Sequence, residues 1–197
     1  MRVILASGSP RRADLLRKIR LDFIIVPANV KEINELNGLS VEQIVQKNAL
    51  MKAMALANKF TNSLIIGADT IVFFENKLIG KPKNAEDAKK MLKGFSGKWH
   101  SVYTGIALVE TNTKKQIVDF EKTKVKFKKL SEKEITDYIA TREPKDMAGA
   151  YAIQGKGKFL IEKIEGSYTN IVGLPMEKLC ARLKEAGIKN SRAKNEE

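Results

Sequence analysis

The sequence predicts an α/β fold, in which a central, mixed and strongly twisted β-sheet is flanked by helices and a deep cleft separates two lobes. Apolar strand-like runs alternate with helix-period stretches through the first half of the chain, the pattern of successive βα units. The run from Leu64 to Phe74 is apolar on both faces, which marks a central strand. Residues 101–110 and 116–127 alternate apolar and polar side chains and predict an antiparallel pair, so the sheet is mixed.

The elements follow in order. Arg2 to Ala6 is a short apolar strand. Ser9-Pro10 reads as an N-cap followed by proline in the first helical position, opening a helix to about Ile19 with Leu15, Leu16 and Ile19 inward. Phe23 to Val26 is a second strand. Ser40 with Gln43 forms a capping box before a long Ala/Met/Lys-rich helix that runs to about Phe60. After the central strand, Glu75-Asn76 predicts a hairpin turn into Lys77-Leu78-Ile79. Asn84 caps a helix to Phe95. Ser131 with Glu134 is a second capping box, opening a helix to about Thr141. Phe159 to Ile164 is a late strand, and Leu174 to Ala186 a final helix closed by Gly187 at C′. No repeat or low-complexity linker divides the 197 residues, so residues 1–189 are read as one domain and 190–197 as a polar tail.

Composition narrows the function classes. A single cysteine rules out an internal disulfide, and one cysteine with one histidine rules out a Cys/His zinc cluster. Cys180, in an amphipathic helical stretch, is expected to be a buried structural thiol. The net charge of +13 attracts polyanions. The lysines are spread along the chain rather than gathered in one arm, which favours a phosphate pocket within a lysine-rich surface over a dedicated nucleic-acid stripe. Met1 to Ala6 is too short for a signal h-region, and the most apolar stretch falls short of the ~20 residues that span a bilayer. A cytosolic protein without a membrane partner is expected.

Five segments could carry chemistry. Ser7-Gly8-Ser9-Pro10-Arg11-Arg12 lies between a strand and a helix start, where small residues, unpaired N–H groups and two guanidinium forks suit a phosphate. An ordinary capped turn with surface arginines fits the same residues. The Walker A spacing is absent. Asp69, in Gly67-Ala68-Asp69-Thr70, is a carboxylate inside an apolar strand and so must be paired, hydrogen-bonded or metal-bound. It is a candidate general base or metal ligand, with a backbone-bonded structural aspartate as the alternative. Lys81, between Gly80 and Pro82, and Lys52, among apolar helix neighbours, could neutralise phosphates or simply reach solvent. Gln154, in Ala148-Gly149-Ala150-Tyr151-Ala152-Ile153-Gln154-Gly155, could hydrogen-bond a base edge. The fifth segment, Gly166 to Asn170 before Gly173-Leu174-Pro175, reads as a polar loop leading to a helix start. His100, with no serine or cysteine elbow near it, is expected to be structural rather than part of a triad.

Taken together and in order, these segments resemble the Maf family of nucleoside triphosphate pyrophosphatases, also called septum formation inhibitors. The matching stretches are LASGSPRR at 5–12, GADT at 67–70, GKP at 80–82, SGKWHSVYTG at 96–105, AGAYAIQG at 148–155 and GSYTNIVGLPM at 166–176. The resemblance implies cleavage of a nucleoside triphosphate between the α and β phosphates, a divalent cation such as Mg²⁺ or Mn²⁺, and a mixed-sheet fold with a deep cleft like that of inosine triphosphate pyrophosphatases. It also implies a homodimer and a housecleaning role against misincorporation. On the family pattern Asp69 matches the proposed general base. Arg11, Thr70 and Gln154 match positions tied to substrate choice, and Ser7, Arg12, Glu32, Lys52 and Lys81 match further pocket positions, with Glu32 and Asp69 as the metal carboxylates. Glutamine at 154 resembles the dTTP/UTP branch, where CTP or modified pyrimidines are further candidates. The 7-methyl-GTP branch carries glutamate there, and an amide can both donate and accept where a carboxylate only accepts. The chain departs from the family at Met147, where lysine is usual, and at Lys31-Glu32, where Asp-Glu is common. The competing class is a nucleic-acid-binding or division-regulating protein without turnover. A pure nucleic-acid binder has no use for Asp69 amid arginines and lysines, so no stable nucleic-acid partner is expected.

Overall fold

The computed structural model describes residues 1–188, apart from the side chain of Asp146. The expected tail at 190–197 and the last residue of the expected domain lie outside them. The chain runs β1 (Arg2–Leu5), α1 (Pro10–Arg17), β2 (Phe23–Ile25), α2 (Val41–Ala57), β3 (Ser63–Phe74), β4 (Lys77–Ile79), α3 (Ala85–Phe95), β5 (Trp99–Glu110), β6 (Gln116–Phe127) and α4 (Glu132–Ala140). Three short 3₁₀ turns follow, at Glu143–Asp146, Ala148–Ala150 and Lys156–Leu160, then β7 (Ile161–Glu165), α5 (Tyr168–Val172) and α6 (Met176–Glu185).

The strands form a seven-stranded mixed sheet in the order β2-β1-β3-β5-β6-β7, with β4 paired to β3 off that path. β1 is parallel to both β2 and β3, and the other pairings are antiparallel. The Glu75-Asn76 hairpin takes positive φ at both residues, 46° and 59°, the twist a tight antiparallel turn needs.

β3 carries the whole architecture. Its first half pairs with β1, and its last residues pair with β4. Around the first half, Leu5, Leu16, Ile66, Leu108, Leu179 and Leu183 pack one face of the sheet against α1 and α6. Ile4, Ala49, Ala53, Ile65 and Val109 pack the opposite face against α2. Around the second half, Leu92, Phe95, Val102, Phe127, Ile135 and Tyr138 bury α3 and α4. These two ends are the lobes.

The helix α2 sits unusually close to the sheet because two neighbouring strands lack a Cβ under it. A Cβ at Gly67 would run into the carbonyl of Ala49, and one at Gly105 into the carbonyl of Val45. The capping box expected at Ser40 and Gln43 is present, with Gln43 N–H donating to Ser40 Oγ and Ser40 N–H to Gln43 Oε1. The second box, at Ser131 and Glu134, is present too.

Several expectations need correction. Ser9 holds the N-cap position of α1, but its side chain caps nothing; Ser9 N–H instead donates to Ser7 Oγ at 3.2 Å. That helix ends at Arg17, before Ile19, because Arg20 takes φ 53°. Residues 168–172 are a short helix rather than loop, with Ser167 accepting from Asn170 N–H and Gly173 ending it at φ 115°. The late strand begins at Ile161, after a 3₁₀ turn over Lys156–Leu160. Cys180 is half-buried, not buried, because Leu179 and Leu183 take the inward stripe of α6 and Cys180 stands one step round the helix.

Candidate active site

β1 flanks β3 only as far as Leu5 opposite Ile66, and β4 takes up the same edge only at Val72. Among the described residues no strand covers residues 67–71 on that edge, and a cleft of about 990 Å³ opens there. Side chains leave a strand alternately to its two faces, so Asp69 and Thr70 enter this cleft from opposite sides of the sheet.

Asp69 turns toward α2. Lys52 Nζ donates to its Oδ1 at 2.6 Å and Asn48 Nδ2 to its Oδ2 at 2.9 Å. Asn48 and Lys52 are one helical turn apart and so share a face. The glycines under α2 allow that face to come within reach of the strand. Lys52 Nζ also pairs with Glu32 Oε1 at 2.7 Å. Asp69 and Lys52 are nearly buried, while the Glu32 side chain is 52% exposed. Glu32 lies in a segment without regular structure, and Asn48 fixes that segment. It accepts from Ile33 N–H at 2.8 Å and donates to Ile33 O at 3.0 Å. Two carboxylates thus converge on one ammonium.

Thr70 turns the other way, toward Arg12. The guanidinium is spread over three partners: Nε donates to Gly173 O at 2.8 Å, Nη1 to Ser7 Oγ at 3.0 Å and Nη2 to Thr70 Oγ1 at 3.0 Å. Thr70 Oγ1 is also 2.9 Å from Thr104 Oγ1. Burial holds the Arg12 pKa below its ordinary value, an effect partly offset by Asp69 and Glu32. Arg12 therefore stitches α1, β3 and the end of α5 together in front of the cleft. Arg11, its neighbour, also lines the cleft and is half-exposed.

The far wall comes from Gly80, Lys81, Met147, Ala148 and residues 151–154. Gly149 N–H donates to Gly80 O at 3.0 Å and joins these two segments. Lys81 and Gln154 are exposed at the rim, and Met147 lines the wall half-buried. Behind this wall, Tyr151 Oη lies 2.8 Å from His100 Nε2. His100 stacks on Phe95 at 4.5 Å and meets Phe127 edge-on. Burial pushes its pKa down from 6.5 to about 3, so the ring is neutral and structural, and it pushes the Tyr151 phenol up.

Every site residue singled out in the sequence lines this one cleft: Ser7, Arg11, Arg12, Glu32, Lys52, Asp69, Thr70, Lys81 and Gln154. Sequence reasoning missed Asn48 and Glu143. For Asn48 a signal was available, an amide one turn before Lys52 in an otherwise apolar helix face. Among the described residues no group of three or more His, Cys, Asp or Glu side chains is placed to hold a metal. The pair Glu32 and Asp69 still fits a divalent cation. Both present hard oxygen donors to a point that an ammonium already occupies, and Mg²⁺ characteristically takes one or two carboxylates with phosphate oxygens and water.

Comparison with known proteins agrees with this geometry. The family model for Maf-like proteins matches residues 2–186. The chain belongs to the Maf family. Among this family member's curated relatives, the dTTP/UTP pyrophosphatase of Dictyoglomus thermophilum is 48% identical, over 94% of this chain and 96% of that protein. Proteins of the same name from Acetivibrio thermocellus and Thermosipho melanesiensis are 47% and 48% identical, covering 95% and 91% of this chain and 96% and 94% of their own lengths. Among solved structures the fold is similar to the Staphylococcus aureus Ham1 protein, with TM-score 0.56 and 14% identity over 94% of this chain and all of that one. It is also similar to a HAM1 protein from Coxiella burnetii, with TM-score 0.53 and 17% identity over 94% of this chain and 99% of the other. At such identities the likeness speaks for the fold alone.

Proposed function

We infer that this Maf-family chain is a nucleoside triphosphate pyrophosphatase that hydrolyses dTTP and UTP to the monophosphate and pyrophosphate. The observation that carries the reading is the convergence on one cleft of a buried carboxylate and the cations Arg11, Arg12, Lys52 and Lys81, drawn from segments far apart in sequence. Relatives nearly half identical over almost the full length are named for this activity.

In this reading the triphosphate lies along the edge of β3, between the Ser7 turn and Lys81, where the cations offset its charge. Asp69 takes a proton from water as the water oxygen bonds to the α phosphorus. The bond from that phosphorus to the bridging oxygen breaks, and pyrophosphate leaves with the electron pair. Lys52 and Asn48 hold the carboxylate in place, each engaging one oxygen. Glu32 and Asp69 are the residues that would hold a divalent cation, which supplies charge neutralisation at the phosphates when bound. Gln154 meets the pyrimidine edge with an amide that can both donate and accept. A homodimer and a cytosolic place of work belong to the same reading. No helix among the described residues is long and apolar enough to cross a membrane.

A panel of nucleoside triphosphates with Mg²⁺ or Mn²⁺, scored for pyrophosphate release, tests the proposal. dTTP and UTP are expected to turn over fastest, ahead of CTP, GTP and 7-methyl-GTP. Release of orthophosphate instead, or no turnover of any triphosphate, would overturn it.

A further inference from the structure

Glu143 lines the cleft, yet its carboxylate is committed elsewhere. Oε1 accepts the backbone N–H of Lys156 at 3.0 Å and Oε2 that of Gly157 at 2.9 Å. The backbone at residue 155 passes against the same group so closely that a Cβ there would displace the Glu143 carboxylate from this position. Two neighbouring amides shared by one carboxylate are charge-assisted hydrogen bonds, stronger than neutral ones.

These bonds close one end of a short segment whose other end is also fastened. Ala152 N–H donates to Tyr138 Oη at 3.0 Å, and Tyr151 Oη meets His100 Nε2 at 2.8 Å. The Ile153 side chain is buried in the core under α1 and α6. Burial raises the Tyr138 pKa, and the adjacent Glu143 adds to the effect, so the phenol stays protonated. Between the fastened ends Gln154 and Gly155 are exposed to solvent.

We propose that Glu143 is a positioning residue for base selection: by gripping the Lys156 and Gly157 amides it sets where the Gln154 amide stands in the cleft. The inference rests on the reading above, in which Gln154 meets the base. Both Glu143 carboxylate oxygens are taken up by these backbone amides, so its effect is expected in substrate choice. A glutamine in its place keeps one acceptor of the two and sets an amide N–H₂ against the other backbone N–H.

The test combines a readout of the backbone with one of selectivity. Hydrogen exchange at the Lys156 and Gly157 amides should quicken at least about tenfold in E143A and less in E143Q, since both amides lose a charged acceptor. Unchanged exchange would overturn the clamp whether or not the enzyme turns over any nucleotide. In E143A the KM for dTTP and UTP should rise about tenfold with kcat within about threefold, and the preference for dTTP over GTP should fall by a similar factor. E143Q should lie between E143A and the native enzyme. On a Q154A background, E143A should change that preference by less than about twofold, because the grip acts through Gln154. A uniform loss on all nucleotides with the preference intact would reduce Glu143 to a structural residue and refute the proposal. A native enzyme that hydrolyses no triphosphate would refute the underlying reading instead, and the exchange measurement keeps the two failures distinct.

Discussion

The two walls of the cleft hold their polar groups by different means. On the α2 side, charges fix charges: Glu32, Lys52 and Asp69 are joined within 2.7 Å, with Lys52 and Asp69 out of water and Glu32 half-exposed. On the opposite side, residues 151–157 are fixed by a phenol, a neutral imidazole and backbone amides, with Glu143 the one charged anchor among those contacts. The first arrangement is sensitive to any change of charge at constant shape. The second is sensitive to shape and reach, because no net charge is exposed when a neutral bond is lost. A wall of the first kind suits proton transfer and phosphate chemistry, and one of the second kind suits telling one base from another.

The comparison breaks or sharpens at defined points. The largest effect is expected for Asp69→Asn, which keeps shape and removes charge. Turnover of dTTP should fall by at least about a thousandfold, the upper range for a lost general base, while calorimetric nucleotide affinity stays within about threefold. Near-normal activity would sink the base assignment. Next comes Lys52→Met, which leaves a buried carboxylate without its partner. Denaturant unfolding should show a loss of about 3–5 kcal/mol, and an unchanged midpoint would mean that the ion triad does not hold this wall together. Gln154→Glu, at the other wall, should lower kcat/KM for dTTP and UTP by about tenfold, through substrate preference rather than stability. Unchanged kinetics with both would refute the role of Gln154.

The smallest effect concerns pH. His100 has its pKa lowered by burial from 6.5 to about 3. The unfolded chain therefore takes up a proton that the folded chain refuses across this window. Stability from this source is complete above pH 6.5 and falls by about 1 kcal/mol for each pH unit on the way down toward 3. His100→Gln should have a shallower loss of stability between pH 6.5 and 4.5 than the native chain. Identical slopes would place the imidazole in water.

Much of this was legible in the sequence because the signals were local. The two capping boxes, the Glu75-Asn76 turn and the doubly apolar β3 are each specified within a few residues, and each stands where its pattern puts it. The roll of cleft residues was legible too, because the matched segments carry all of it but Glu32 and Lys52, which the family pattern adds. What escaped were contacts between distant segments. Asn48 looks like one more helix residue until the segment around Ile33 is laid beside it. Glu143 looks like a surface acid until the turn at 156–157 closes on it. Ser9 shows the converse: its residue type fits a cap, but the turn geometry sends its amide to Ser7 instead.

The long strands have a mechanical consequence. The chain passes between the lobes on β3, β5 and β6, long strands held in register along the β3–β5 and β5–β6 ladders. The ladder between β3 and β5 runs unbroken from Leu64 opposite Glu110 to Phe73 opposite Ser101, so it behaves as a leaf spring. Any narrowing of the jaws around a ligand has to be absorbed as added twist shared along that ladder, and the stiffness of the grip is set by the sheet, not by a hinge.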